Sequence, residues 1–216
     1  MEPVSWNWSA VDERAPWEEP AEEAWYLAHR WKRDRRTRVL DLGCGLGRHS
    51  LLFARCGLTV DAYDLSPEAV REVESRARAE RLEVTARHGD MHELPYADAA
   101  FDCLVAFHVI YHTDRRGLER IISEIGRVLA PGGEAFVTFN SAASPQLRDP
   151  RFRRIAANMV VKTDGAEAGV PHLYLGEADV RDLMRGFAIS LFYHKEEIGA
   201  DWRACHYFVL AEKPRG

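Results

Sequence analysis

The sequence has few cysteines, no long apolar run and no excess of positive charge. Its four cysteines are scattered along 216 residues without a Cys-x-x-Cys pair, a distribution that favours neither a disulfide framework nor a zinc site. No apolar run approaches the ~20 residues that cross a bilayer, and the first residues lack the basic and apolar regions of a secretory signal. We therefore expect a protein of the cytoplasm with no membrane partner.

The charge balance argues against a nucleic-acid partner. The net charge is −5, whereas the phosphates of a nucleic acid favour a basic surface. Two local basic clusters, at 32–38 and 148–154, are interpreted as solvated faces, because charge runs usually lie there. Hydrophobic residues make up 46% and charged residues 29% of the chain, which is the balance of a globular protein with one sizeable core.

Apolar runs and amphipathic segments alternate through the middle of the chain, as in a parallel sheet covered by helices. The pattern predicts buried strands at 38–42, 58–63, 83–88, 101–107 and 134–140. It predicts helices at 49–55, from Pro67 onwards behind a Ser66 N-cap, at 118–129 and at 177–185. Residues 141–176 have loop character, and two last strands, at 188–195 and 205–213, are expected to pair as a hairpin at the sheet edge.

The most informative stretch is VLDLGCGLG at 39–47, where a strand enters a glycine-rich turn and a helix begins directly after it. The glycines let a ligand approach the backbone, and the helix N-terminus offers unpaired N–H groups to an anionic group. They stand in the order G-x-G-x-G, whereas the dinucleotide fingerprint is G-x-G-x-x-G. Asp41 precedes the first glycine by two positions, where its charge favours a cationic ligand and repels a pyrophosphate. S-adenosylmethionine, which carries a carboxylate, an amine and a sulfonium, meets both demands.

Two further acids follow the next two predicted strands. Asp64 ends the second strand, where a carboxylate can accept hydrogen bonds from both hydroxyls of a ribose. The alternative role for Asp64, an N-cap ahead of Pro67, suits Ser66 better. Asp90 follows the third strand within HGDM, placed to accept from an adenine amino group while Met91 packs against the ring.

Together these residues resemble the class I, Rossmann-like S-adenosylmethionine-dependent methyltransferases, in the branch of the type 11 and type 25 methyltransferase domains and the tellurite-resistance-like enzymes. The resemblance covers roughly residues 35–140 and is looser beyond them. It implies a seven-stranded, mostly parallel α/β sheet with helices on both faces and an antiparallel last strand. It also implies S-adenosylmethionine as the cofactor. The implied positions are Asp41, Gly43, Cys44, Gly45 and Gly47 for the methionine part, Asp64 and Leu65 for the ribose, Asp90 and Met91 for the adenine, and the Phe107 backbone.

Polar aromatic residues cluster directly after the fourth strand, the position that faces the transferred methyl group in the related fold. Histidine titrates near neutrality and suits a general base or an orienting donor, although a surface or capping role is the alternative for each histidine. The candidate catalytic residues are Tyr111, His112 and His172. The candidate acceptor-binding residues are Trp8, His108, Tyr111, His172 and Tyr174. No histidine shows the spacing of metal ligands, so no metal is expected.

Five of the six tryptophans lie in the first 31 residues. Trp25 and Trp31 are interpreted as the core face of a helix, whereas the tryptophans before that helix follow no period. A large apolar ring is stabilised when it packs against another surface. We therefore expect Trp6 or Trp8 to belong to a lid over the cofactor or the acceptor. The predicted organisation is a lid segment and helix at 1–36, a cofactor-binding core at 37–140, an acceptor-site insertion at 141–176, and a closing helix and hairpin of the same domain at 177–216.

The expected function is methyl transfer from S-adenosylmethionine to a small-molecule acceptor, on oxygen, nitrogen, sulfur or carbon, with release of S-adenosylhomocysteine. After the fourth strand the chain reads AFHV, not the Asn/Asp-Pro-Pro-Tyr motif of enzymes that methylate amino groups of DNA, RNA or glutamine. Phe107 stands where catechol-type enzymes that hold a metal carry an acid. The alternatives are an NAD(P)-dependent oxidoreductase, a non-catalytic S-adenosylmethionine-binding module and, within the methyltransferases, a peptide or protein acceptor.

Overall fold

Strands and helices alternate along the computed structural model, which describes residues 3–11, 15–199 and 202–215. The strands are β1 (Arg38–Leu42), β2 (Thr59–Asp64), β3 (Val84–His88), β4 (Phe101–Ala106), β5 (Leu129–Ser141), β6 (Arg153–Ala156), β7 (Met159–Val161), β8 (Pro171–Leu175), β9 (Ala188–Ile198) and β10 (Arg203–Glu212). The α-helices are α1 (Ala15–Glu18), α2 (Glu22–Arg33), α3 (Arg48–Arg55), α4 (Pro67–Glu80), α5 (Arg115–Val128) and α6 (Glu177–Leu183). Short 3-10 turns span Trp8–Ala10, Pro145–Arg148 and Gly165–Glu167. Within the described ranges, no helix combines the length and the apolar character needed to cross a bilayer.

The main sheet has the strand order β3-β2-β1-β4-β5-β10-β9. The first five are parallel neighbours, whereas β10 is antiparallel to both β5 and β9. This arrangement confirms the predicted Rossmann-like, mostly parallel sheet and its antiparallel last strand. The carboxyl ends of β1, β2 and β4 meet at one edge, where open α/β sheets bind their ligands.

Apolar side chains fill both faces of the sheet. On one face α5 packs through Leu118, Ile121 and Ile125, all fully buried, in the helical period that the sequence predicts. On the other face α2 and α3 pack through residues that include Trp31 and Phe53. Burying one side chain of this size stabilises the fold by roughly 1.5–3 kcal/mol, so the two layers hold the sheet from both sides.

The interpretation of Trp25 as a core residue is wrong. Trp31 is 0% exposed, but Trp25 is 50% exposed. Six residues along an α-helix turn through roughly 600°, which leaves the two side chains about 120° apart around the axis. The buried face of α2 therefore includes Trp31 and leaves Trp25 at the surface.

The loop prediction for 141–176 is wrong for β6, β7 and β8. These strands extend the sheet as a side branch, because β8 lies parallel to the end of β5 through the pairs Asn140–Tyr174 and Ser141–Leu175. β7 is antiparallel to β8 and to β6. Strands of three to five residues give too short a pattern for periodicity to detect. The branch brings this section beside the carboxyl edge of the main sheet.

A buried carboxylate, Glu134 on β5, anchors α2 to the sheet. Arg30 donates to it at 2.6 Å, and the Trp31 indole N–H donates at 2.9 Å. Arg36 lies 3.6 Å away and also donates to the Gly132 carbonyl. Burial on its own would raise the pKa of Glu134, but the hydrogen bond from Arg30 and the nearby arginine charges outweigh it and lower the pKa. The expected solvated face at 32–38 is therefore wrong for Arg36, which belongs to this network.

We expect Glu134→Gln to lower the free energy of unfolding by about 3 kcal/mol, because removing one partner of a buried ion pair leaves the other charge uncompensated. The lowered pKa means that the wild-type advantage is complete above pH ~4.3 and is lost as the pH falls through the folded-state value. Urea unfolding at pH 7 and at acidic pH measures both effects.

Glu212→Gln is the matched control. Glu212 lies 4.0 Å from Arg36 and is partly exposed, so its loss should change stability by less than about 0.5 kcal/mol. Equal unfolding midpoints for the two variants would contradict the anchoring role of Glu134.

Candidate active site

The glycine loop after β1 takes a backbone conformation that side chains disfavour. Gly43, Gly45 and Gly47 all have positive φ, of 70°, 52° and 82°. A Cβ atom on Gly43 would lie 2.3 Å from the Val109 side chain, and one on Gly45 would lie 2.9 Å from the Trp8 ring. The loop therefore needs glycine for both conformation and space.

Asp64, at the end of β2, ties this loop to the start of α4. Its Oδ2 accepts from the Gly45 N–H at 2.9 Å, and its Oδ1 accepts from the Ser66 N–H at 2.8 Å. Ser66 is the N-cap of α4, as predicted, since its hydroxyl accepts from the Ala69 N–H. Burial raises the pKa of Asp64, while the backbone N–H donors oppose that shift. Each carboxylate oxygen keeps lone-pair capacity, and Asp64 and Leu65 both line the pocket.

Asp41 lies behind the glycine loop and does not reach the pocket surface. Its side chain is buried, and its Oδ2 accepts from the Ser50 hydroxyl at 2.5 Å. Burial raises the pKa of Asp41 to about 6. Any effect of this charge on a cationic ligand therefore acts across the loop and not through direct contact.

Asp90 and Met91, after β3, line the pocket beyond Asp64. Asp90 Oδ1 accepts from the His92 backbone N–H at 2.9 Å and lies 2.6 Å from His92 Nδ1. The other ring nitrogen of His92 lies 3.1 Å from the Thr113 hydroxyl. His92 thus holds the carboxylate in place. The sequence analysis missed it, although an Asp followed two residues later by a polar residue is a known turn signal.

The N-terminal segment covers the pocket with aromatic rings. The ring centroid of Trp6 lies 5.1 Å from that of Trp8 and 4.8 Å from that of Trp17, and all three line the pocket. The Asn7 N–H donates to the Ala166 carbonyl at 2.9 Å, which joins the segment to the 141–176 section. Residues 1, 2 and 12–14 of the predicted lid lie outside the described residues.

Two residues that the sequence analysis did not single out, Arg48 and His49, line the pocket from the first turn of α3. The Arg48 guanidinium lies 5.4 Å from the ring centroid of Phe107 and 5.9 Å from that of Trp17. His49 Nε2 accepts from the Ala21 N–H, and burial holds the pKa of His49 well below its ordinary value, so the ring is neutral. Their place directly after the third glycine, at the helix N-terminus, was a usable signal.

His108 has a left-handed backbone, with φ of 56°, directly after β4. Its N–H donates to the Thr138 hydroxyl at 2.6 Å, and its ring lies 4.1 Å from that of His206. A residue with a Cβ in this conformation costs on the order of 1–2 kcal/mol, and such strain tends to occur at functional sites. Burial lowers the pKa of His108 well below its ordinary value, so the imidazole facing the pocket is neutral.

The structure brings Tyr111, His112 and His172 together and leaves Tyr174 apart. The His112 ring lies 4.8 Å from Tyr111 and 4.7 Å from His172. Tyr174 is buried in a separate cluster with Leu147, two residues or roughly 7 Å further along β8 than His172. Tyr174 does not line the pocket, and its place in the acceptor site stays a prediction.

One continuous pocket is lined by the glycine loop, the ends of β2 and β4, the first turn of α3 and the N-terminal segment. Of the residues predicted from sequence, it is lined by Trp8, Gly43, Cys44, Gly45, Asp64, Leu65, Asp90, Met91, Phe107, His108 and His112. The predicted residues that do not line it are Asp41, Gly47, Tyr111, His172 and Tyr174.

Residues 39–133 match the family model described as "Methyltransferase domain". The chain is 37% identical over 99 residues to the methyltransferase GfsG of Streptomyces halstedii, covering 44% of this chain and 35% of that protein. It is 40% identical over 113 residues to a probable S-adenosylmethionine-dependent methyltransferase of Mycolicibacterium smegmatis, covering 52% of this chain and 40% of that protein. The chain thus spans well under half the length of these curated relatives.

Solved structures share the fold over nearly the whole chain. A SAM-dependent methyltransferase from Methanosarcina mazei has a TM-score of 0.77 at 22% identity, covering 92% of this chain and 100% of that one. The 1,6-didemethyltoxoflavin-N1-methyltransferase of Burkholderia thailandensis, with bound 1,6-didemethyltoxoflavin and S-adenosylhomocysteine, has a TM-score of 0.69 at 21% identity, covering 95% and 84%. Both solved structures are less than 25% identical to this chain and therefore show the shared fold alone. Residues 39–133 of this chain are thus similar to methyltransferase domains, in agreement with the resemblance of the glycine loop, Asp64 and Asp90 to the class I, Rossmann-like S-adenosylmethionine-dependent methyltransferases.

Proposed function

We propose that this chain transfers the methyl group of S-adenosylmethionine to a small-molecule acceptor and releases S-adenosylhomocysteine. The observation that carries the proposal is that a single pocket is lined both by Asp64 and Asp90 and by His108 and His112. Methyl transfer from a sulfonium is an in-line displacement with a good leaving group. Alignment of the reactants and exclusion of water therefore supply much of the acceleration.

The cofactor end of the pocket suits S-adenosylmethionine group by group. The N-terminus of α3 and the cation of Arg48 would meet the carboxylate of the methionine part. Asp64 would accept from the ribose hydroxyls, and Asp90, held by His92, would accept from the adenine amino group. The positions of these side chains support the assignments.

The acceptor end suits a small molecule because it is covered. Trp6 and Trp17 lie over it, and tryptophan rings both exclude water and stack on flat ligands. The neutral His108 ring can accept or donate a hydrogen bond to an acceptor. The Burkholderia thailandensis methyltransferase, which shares this fold, has a small heterocycle, 1,6-didemethyltoxoflavin, bound.

Calorimetric titration with S-adenosylhomocysteine, run beside NADH, tests the cofactor part of the proposal. We expect S-adenosylhomocysteine alone to bind, because the pocket provides carboxylates for a ribose and no pyrophosphate cradle of the dinucleotide type. Release of S-adenosylhomocysteine from S-adenosylmethionine is then measured with phenols, amines, thiols, carbon acids and a peptide mixture. Binding of NADH alone, or turnover with peptides alone, would contradict the proposal.

Asp64→Asn should weaken S-adenosylhomocysteine binding by roughly tenfold to a hundredfold, because a hydrogen bond to a charged group contributes about 1.5–3 kcal/mol. The same calorimetric titration measures it. Asp61→Asn is the control on the same strand, since Asp61 pairs with Arg87 at 3.4 Å and does not line the pocket. Unchanged affinity in Asp64→Asn would remove Asp64 from the cofactor site.

Removing a tryptophan of the cover should speed release of the cofactor product. Trp8 packs on Gly45 of the glycine loop, so Trp8→Ala should raise the dissociation rate of S-adenosylhomocysteine by roughly tenfold, or ~1.4 kcal/mol. Stopped-flow displacement measures this rate without any acceptor. Trp25→Ala removes an exposed tryptophan and should leave the rate unchanged; equal rates in the two variants would show that segment 3–11 is no lid.

A further inference from the structure

Two histidines and a glutamate from separate parts of the chain converge beside the acceptor end of the pocket. His112 follows β4, Glu167 lies in the 3-10 turn Gly165–Glu167, and His172 lies in β8. Their ligand atoms all lie within 4.8 Å of one another. Both histidines are buried, and His112 also lines the pocket.

The hydrogen bonds of His172 leave a place for a positive charge. Its Nδ1 lies 3.1 Å from the Val170 carbonyl oxygen, which accepts from Nδ1 in the tautomer that carries its proton there. Its Nε2 lies 2.9 Å from Glu167 Oε1. In that tautomer the Nε2 lone pair faces a carboxylate oxygen and is repelled. A proton on Nε2, from the other tautomer or from a second protonation, makes this contact favourable, and so does a metal ion bound by both atoms.

The neighbouring residue His112 favours a metal ion over a proton at this position. Its Nε2 is buried and has no hydrogen-bond partner among the described residues. A proton on His172 Nε2 would satisfy Glu167 but leave His112 Nε2 unsatisfied, which carries a cost in free energy. A metal ion would accept lone pairs from both histidines and from the carboxylate.

Neighbouring groups orient Glu167 and His172 as ligands. Lys162 bonds to Oε2 of Glu167 and leaves Oε1 for the convergence point. A bond from the Nδ1–H of His172 to a backbone carbonyl is also the usual way in which a metal-binding histidine is oriented.

We propose that His112, Glu167 and His172 bind a divalent transition-metal ion, Zn²⁺ in the first place. Two imidazole nitrogens and one carboxylate oxygen form a ligand set of catalytic zinc sites, in which a fourth position stays open. Because the three ligands come from three segments, their spacing along the chain does not reveal them. The sequence expectation that no metal binds rested on that spacing.

The open position would take the donor atom of the acceptor, an inference that rests on the proposed function. An acceptor hydroxyl or thiol bound to the ion loses its proton to solvent more easily. Its lone pair then forms the bond to the methyl carbon as the carbon–sulfur bond breaks, and that electron pair stays on sulfur to give S-adenosylhomocysteine. The site therefore narrows the acceptor class to molecules with a coordinating oxygen, sulfur or nitrogen.

A second set of the same residue types, His108, Glu197 and His206, also lies within 4.8 Å and provides a matched comparison. In that set His206 Nδ1 is also buried without a hydrogen-bond partner among the described residues, and it lies 3.3 Å from Glu197. The Glu197 side chain is 31% exposed, against 19% for Glu167. Because water competes more strongly for the more exposed carboxylate, the metal is placed at the first set.

Metal-stripped protein, titrated with Zn²⁺ by calorimetry, tests the proposal, and visible absorption of bound Co²⁺ gives a second readout. We expect one equivalent to bind. Glu167→Gln should weaken binding by roughly tenfold to a hundredfold, because a neutral amide replaces an anionic ligand, and His112→Asn should do the same. Glu197→Gln should leave the affinity unchanged.

No saturable binding by the wild-type chain, or binding lost in Glu197→Gln and kept in Glu167→Gln, would overturn the site. S-adenosylhomocysteine affinity is measured on the same samples, and circular dichroism confirms that each variant folds. A chain that binds S-adenosylhomocysteine but no Zn²⁺ refutes the metal site alone. A chain that binds Zn²⁺ but not S-adenosylhomocysteine refutes the proposed function instead.

Discussion

The pocket depends on one hydrogen bond, 2.9 Å long, from the Gly45 N–H to the Asp64 carboxylate. This bond joins the glycine loop after β1 to the end of β2. The second carboxylate oxygen accepts from Ser66, so a single side chain fixes the loop after β1 and the turn after β2. These strands are parallel neighbours, and their carboxyl ends therefore lie side by side. The absence of a side chain on Gly45 then leaves the space that Trp8 fills.

The sequence predicts those parts of the fold whose signal is local. The buried face of α5, the Ser66 cap and the glycine loop each follow from a few adjacent residues, and the structure has all three. Prediction failed where packing decides the outcome. Trp25 and Trp31 are of the same residue type, yet only the helical angle between them determines which is buried. The strands β6, β7 and β8 are each too short for a period, and they exist because β8 pairs with the end of β5.

The same holds for the residues of the site: those next to a strand end could be predicted from the sequence, whereas partners that meet only after folding could not. Asp64 and Asp90 were predicted to lie at the pocket because Asp64 ends one strand and Asp90 follows the next, and both line it. Asp41, on the strand itself, points behind the loop, which its distance from the first glycine does not reveal. The partners of the predicted residues were missed, such as His92 beside Asp90. Glu167 was missed for the same reason, since its relation to His112 exists only after folding.

The N-terminal segment covers the pocket both at the glycine loop and at His112. Trp8 packs on the glycine loop, and the Trp6 ring lies 6.1 Å from the His112 ring. Between them, the Asn7 N–H bonds to the Ala166 carbonyl, one residue before Glu167. Three successive residues of one segment thus contact the glycine loop, the 141–176 section and His112. Covering the glycine loop and covering His112 are therefore a single structural event in this fold, because displacement of the segment would admit water to Gly45 and to His112 together.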